Sequence, residues 1–289
     1  MKKLFTLTLV LFVFILPENT ATAQESGDPL YTTELGVQMY TFRNVIPDLG
    51  FEATLDEIQK MGIRYIEGGG ARGISTDEFK QMLADRDLQL ISTGTSFGQL
   101  RENPEEVAEK AKELGAKYVM NAWIDHENGS FNFLNASEAV EVFNKAGKVL
   151  AEHGLTFMYH VHGYEFVPYR GGTLLDYMME NTNPEYVSYQ MDVLWTHFGG
   201  GNPAHLLKKY GDRWISLHLK DLKKGTLKDH TGLTDGDNDV ILGTGEIDIH
   251  GILVEANRLG IEYMFIEDES SDPLYQVPES IKYLKSLKY

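Results

Sequence analysis

Cysteine is absent from all 289 residues. Disulfides, thiolate metal ligands and cysteine nucleophiles are therefore excluded, and any metal must be held by His, Asp or Glu. Basic side chains are scarce: 26 Lys and Arg stand against 43 Asp and Glu, a formal net charge of −17. The acidic excess is scattered, with no acidic tail. Such a field repels phosphate backbones, so nucleic acid is a poor partner and a heavily phosphorylated substrate is disfavoured. Long apolar runs are missing beyond the N-terminus, so no membrane span is expected in the mature chain. No Gly-x-Gly-x-x-Gly follows the first expected strand. Gly68-Gly69-Gly70 follows the second but lacks dinucleotide-binding spacing, and reads as a turn.

What is present begins with a compartment signal. Lys2 and Lys3 precede an apolar run, Leu4 to Leu16, interrupted only by Thr6 and Thr8. The run is too short to span a bilayer, which takes roughly 20 apolar residues. Pro17, a polar stretch and Ala21-Thr22-Ala23 follow, the layout of a secretory signal peptide. The expectation is a signal peptide over residues 1–23 and export, to a bacterial periplasm. Residues 24–289 then form one domain, a length usual for a single α/β barrel.

Within that domain short apolar runs alternate with amphipathic stretches. Asn103-Pro104-Glu105-Glu106, Ser75-Thr76-Asp77-Glu78 and Asn135-Ala136-Ser137-Glu138 carry helix-capping logic. Gly62, Gly115, Gly154 and Gly260 each close a helix pattern, and each is followed three residues later by an aromatic: Tyr65, Tyr118, Phe157 and Tyr263. One helix-to-strand turn is thus used four times. Strands are expected from near Leu35, Tyr65, Gln89, Tyr118, Thr156, Val187, Ile215 and Tyr263. Helices are expected from near Glu52, Ser75, Asn103, Asn135, Gly172, Asn202, Asp248 and Pro278. Eight alternating β and α units in one domain predict a closed (β/α)8 barrel.

Ionisable residues inside apolar strands then locate a site, because a barrel's chemistry sits at the C-terminal ends of its strands. The fifth strand offers His160 and His162, with Glu165 just beyond. The sixth offers Gln190 and Asp192, the seventh His218 and Lys220, and the eighth Glu267. Asp221, Asp268 and Glu269 lie where loops begin and read as strand-end or ion-pair residues; His153 and His205 read as ordinary helix residues. A buried unpaired charge costs several kcal/mol. Four successive strands with a His or carboxylate at one level instead fit a divalent cation such as Mn²⁺, Zn²⁺, Co²⁺, Fe²⁺ or Mg²⁺.

These segments carry a resemblance. Leu35-Gly-Val-Gln-Met-Tyr-Thr-Phe-Arg43, His160-Val-His-Gly-Tyr-Glu-Phe166, Tyr189-Gln-Met-Asp-Val-Leu-Trp195, Leu217-His-Leu-Lys-Asp221 and Phe265-Ile-Glu267 resemble the xylose-isomerase-like TIM-barrel superfamily. That group holds sugar isomerases and epimerases, inosose dehydratases and AP endonucleases. The resemblance implies one divalent metal held by His160, Asp192, His218 and Glu267. It also reveals a departure: the sugar epimerases have a Glu where His160 stands here, so their symmetric carboxylate pair is not evident.

The chemistry expected first is sugar isomerisation or epimerisation. A proton leaves carbon next to a metal-polarised carbonyl, through an enediolate. Glu267 is expected to double as ligand and acid/base, with His162, Glu165 and Lys220 as further proton-transfer or oxyanion-stabilising candidates. Gln38, Tyr40, Glu67 and Trp195 are expected to line the site of a small carbohydrate. The alternative is a lyase or hydratase acting on 3-keto-glycosides, which begins with the same proton abstraction and suits export. A non-catalytic carbohydrate-binding barrel and an AP-endonuclease-like nuclease stand further back.

Overall fold

The computed structural model describes residues 27–70 and 73–289. The expected signal segment, 1–23, lies outside the described residues.

Eight parallel strands close into a barrel. They are β1 (Gly36–Gln38), β2 (Tyr65–Glu67), β3 (Gln89–Gly94), β4 (Tyr118–Asn121), β5 (Thr156–His160), β6 (Val187–Asp192), β7 (Trp214–Leu219) and β8 (Tyr263–Ile266). Each neighbours the next in sequence, and β1 pairs with β8 through Gly36↔Phe265. Eight principal helices follow the strands in turn: α1 (Phe51–Lys60), α2 (Thr76–Ala84), α3 (Pro104–Leu114), α4 (Phe133–Glu152), α5 (Leu174–Asn181), α6 (Pro203–Tyr210), α7 (Ile249–Leu259) and α8 (Pro273–Ser286). This is the (β/α)8 barrel the alternation predicted.

The repeated turn is real. Gly62, Gly115, Gly154 and Gly260 all have φ between 70° and 78°, the left-handed region that an L side chain resists. Ser75 forms a full capping box with Glu78 at the start of α2. Two helix starts differ from expectation. Helix α4 is capped by Asn132, with Asn135 as its box partner, so it begins at Phe133. Helix α8 begins at Pro273, and Pro278 lies inside it rather than opening it. Asn103 stands at the N-cap of α3 but makes no side-chain cap bond; Pro104 at the first position sets that start.

The interior of the barrel is layered. At its base Tyr65 and Tyr118 pack on Tyr263, with ring centroids 5.3 and 5.6 Å apart. Ile91, Met120, Met158 and Phe265 fill the next level. Above them the inward positions turn polar: Glu67, Gln190, Ser216, His160 and His218 are all buried. The larger apolar core lies between the strands and the helices. Among the described residues, no helix is long and apolar enough to cross a membrane.

Candidate metal centre and cavity

Strand alternation aims His160, Asp192 and His218 up from β5, β6 and β7, and Glu267 follows directly on β8. All four are buried, and one donor atom from each lies within 4.8 Å of the others. The register aligns them, with His160 opposite Gln190 and Asp192 opposite His218.

Hydrogen bonds decide which atom each residue can offer. His160 Nδ1 lies 3.0 Å from Gln190 Oε1, which leaves Nε2 for the cluster. Asp192 Oδ1 accepts from the Trp195 backbone N–H at 2.8 Å. Its Oδ2 is buried with no hydrogen-bond partner among the described residues, and the Lys220 ammonium stands 3.8 Å away. That orphan is 3.9 Å from His160 Nε2 and 3.8 Å from His218 Nδ1. His218 Nδ1 is in turn 2.9 Å from Glu267 Oε2. Donors held about 2.1 Å from one ion stand roughly 3–4 Å apart, so these spacings fit a single divalent cation. The unpartnered Asp192 oxygen is what a cation would satisfy.

A second layer fixes these groups. Glu67 accepts from His218 Nε2, from Gln38 Nε2 at 2.9 Å and from Gln190 Nε2 at 2.9 Å. Gln190 also bonds Ser216 Oγ at 3.0 Å. A carboxylate behind a ligating imidazole fixes its orientation and raises its basicity. Glu67 was expected in the cavity lining; it is fully buried beneath it. Gln190, which the sequence offers only as a polar residue of the sixth strand, connects His160 to Glu67.

The electrostatics follow from burial and charge. Burial pushes Asp192 up to about 7. Burial alone would lower His218, but Glu67 and Glu267 outweigh it and raise the imidazole to about 10. Burial likewise opposes ionisation of Glu267, yet the Lys220 and His218 charges hold it well below the usual carboxylate range. Lys220 is fully buried, 2.5 Å from Glu269 Oε1 and 3.3 Å from Glu267 Oε2.

Over this cluster opens a cavity of about 430 Å³, lined by His160, His162, His218, Glu267, Gln38 and Tyr40 among others. Trp123 and Trp195 form aromatic walls, and Leu233 and Thr234 reach in from the long segment after β7. His162 stacks on Trp195 at 4.6 Å, and burial pulls its imidazole down to about 4. Gln38, Tyr40 and Trp195 therefore lie in the cavity wall. Glu165 does not line it. Its carboxylate accepts from Tyr159 Oη and from the His162 backbone N–H at 3.0 Å. Lys220 lies behind the wall rather than in it. Asp221 and Asp268 make loop-fixing bonds to nearby backbone and side chains. Glu269, read from sequence as a loop-start residue, stands in the wall. Trp123 went unnoticed because one Trp beyond β4 carries no pattern in sequence.

The barrel topology and the buried His/Asp/His/Glu cluster under an aromatic cavity are shared ground for comparison with known proteins. The chain belongs to the xylose isomerase-like TIM barrel family, whose model matches residues 55–287. The inosose dehydratase of Clostridium perfringens is 26% identical over 292 residues, covering 87% of this chain and 96% of that protein. Inosose dehydratase 1 of Bacillus cereus is 27% identical over 217 residues, covering 67% and 72%. A sugar phosphate isomerase/epimerase structure from Parabacteroides distasonis superposes with a TM-score of 0.74 at 23% identity, covering 89% of this chain and 99% of that one. The structure of IOLI protein with a binding zinc atom superposes with a TM-score of 0.67 at 16% identity, covering 87% and 95%. The chain is an enzyme of this family.

Proposed function

We propose that the protein is a divalent-metal-dependent lyase that eliminates a β-oxygen from a polyhydroxylated cyclic ketone. Relatives named inosose dehydratase support elimination over the isomerisation expected first. The observation that carries the reading is the asymmetry of the site. His160 stands where a symmetric two-carboxylate arrangement would need a second Glu, and His162 faces the cavity on the same wall.

When bound, a divalent ion supplies Lewis acidity to a carbonyl oxygen. Zn²⁺ or Mn²⁺ suits a mixed imidazole and carboxylate donor set. His160, Asp192, His218 and Glu267 hold the ion, and Glu67 and Gln190 keep the two imidazoles in orientation. Trp123 and Trp195 offer flat apolar surface to a sugar ring and exclude water from it. His162, fixed by Trp195 and by the Glu165 bond to its backbone, faces the ring as a neutral imidazole. Glu165 is a positioning residue in this scheme, and Lys220 holds the acidic groups around it. The substrate is a small neutral carbohydrate or cyclitol.

The test uses Zn²⁺- or Mn²⁺-loaded protein with inosose and with a 3-keto-glucoside. Elimination yields a product one water lighter, or releases the aglycone. A product of unchanged mass returns the protein to the isomerases. We also propose export with removal of residues 1–23, on the strength of the N-terminal pattern. Intact mass of protein from its native host checks it, and an unprocessed chain refutes it.

A further inference from the structure

Elimination needs two proton movements: one from carbon and one onto the departing oxygen. One group in the cavity wall can serve both. The chain just past β8 holds a carboxylate outside the metal set. Glu269 lies two residues past Glu267, so both point to the same side of the chain, while Asp268 between them turns away to bond Ser270.

Glu269 is held unusually firmly for a residue in a loop. Its backbone N–H donates to Asp239 Oδ2 at 3.0 Å, and its backbone carbonyl accepts from Arg43 Nη2 at 2.8 Å. Its Oε1 takes the buried Lys220 ammonium at 2.5 Å. Its side chain keeps 21% of its surface exposed where it lines the cavity. β5 and β8 stand three strands apart around an eight-stranded ring, so His162 and Glu269 approach the cavity from different sides. A carboxylate offers acceptor oxygens and carries no proton, which is the inventory of a base.

We propose that Glu269 is the general base of the reaction, oriented by Lys220. The proposal rests on the elimination reading. Glu269 takes the proton from carbon next to the carbonyl. The C–H electron pair becomes the new C=C bond, and the β C–O bond breaks with its pair on oxygen. Glu269, now protonated, gives that oxygen the proton, so water or an alcohol leaves and the carboxylate is restored. One proton moves from carbon to oxygen, and no oxidant or reductant is needed.

The test is deuterium exchange in D₂O on inosose with the zinc-loaded enzyme. Glu269→Gln keeps an acceptor for Lys220 but loses the base. It is expected to bind zinc like the wild type in a calorimetric titration, to melt alongside it, and to lose ~10²–10⁴-fold in exchange rate. Glu269→Ala is expected to recover part of the exchange when formate is added, because the vacated volume opens to the cavity. Exchange at the wild-type rate in Glu269→Gln overturns the proposal while leaving elimination standing. Loss of zinc affinity or of the fold in Glu269→Gln, with no formate rescue of Glu269→Ala, makes Glu269 structural and overturns it too. A wild-type enzyme that exchanges no proton refutes elimination itself, and the assignment of Glu269 falls with it.

Discussion

At the scale of single residues, the site depends on groups that the cavity never shows. Glu165 is a clear case. Burial raises its carboxyl to about 7, although Tyr159 and the His162 N–H both favour the charged form. A folded pKa above the unfolded one means that this residue's share of stability is complete below about pH 4 and is lost as pH rises through 7. The loss is on the order of 3 kcal/mol by linkage. Glu165→Gln is therefore expected to flatten that part of the stability profile. Urea unfolding at pH 5 and pH 8 checks it; equal slopes in variant and wild type would refute the assignment. Glu267 differs, because it is a proposed ligand. Glu267→Gln is expected to lose metal affinity and turnover together, read by metal analysis beside product formation. A fully metallated, inactive Glu267→Gln would remove it from the ligand set.

At the scale of elements, the segment between β7 and α7 shapes the mouth of the cavity. It leaves the barrel at Asp221, forms a short hairpin with Asp239–Val240, and brings Gly232, Leu233 and Thr234 to the site. Gly232 has φ +68°, and a Cβ there would stand 2.8 Å from the His162 carbonyl. The segment is thus packed directly on His162. Asp221 secures its far end by accepting from the backbone N–H groups of Leu222, Gly243, Gly245 and Ile247, at 2.8–3.0 Å. Asp221→Ala would leave several buried donors without a partner, each costing about 1–3 kcal/mol. The expected result is a protein destabilised by at least ~3 kcal/mol, with binding at the mouth weakened as well. Thermal melts and substrate titration measure both; an unchanged melting temperature would show that water replaces the carboxylate. This segment has almost no periodicity, so its course was not legible in the sequence.

For the whole molecule, a closed eight-stranded barrel sets four donors from four strands around one point. Metal binding at that point would tie those strands together and stabilise the folded state by mass action. Free ion at 100 times its Kd adds about 2.7 kcal/mol. Stripping the protein with a chelator is expected to lower its melting temperature, and Zn²⁺ or Mn²⁺ to restore it. No shift, with stoichiometric binding still measurable, would mean that the ion also binds the unfolded chain.

The sequence by itself determined the alternation of eight strands and eight helices, the four repeated Gly turns and the faces bearing His160, Asp192, His218 and Glu267. These are local: strand period, glycine conformation and capping chemistry act within a few residues. It also excluded cysteine chemistry outright. Only the tertiary structure decided which polar residues face the substrate. Glu67 and Glu165 fell beneath the cavity, while Glu269 and Trp123 came into its wall. For Glu67 that sorting depends on distant partners such as Gln190, an interaction 123 residues apart in the chain. Barrel closure, not local spacing, brings such pairs together, and the hydrogen bonds they make decide which side chains remain free to act.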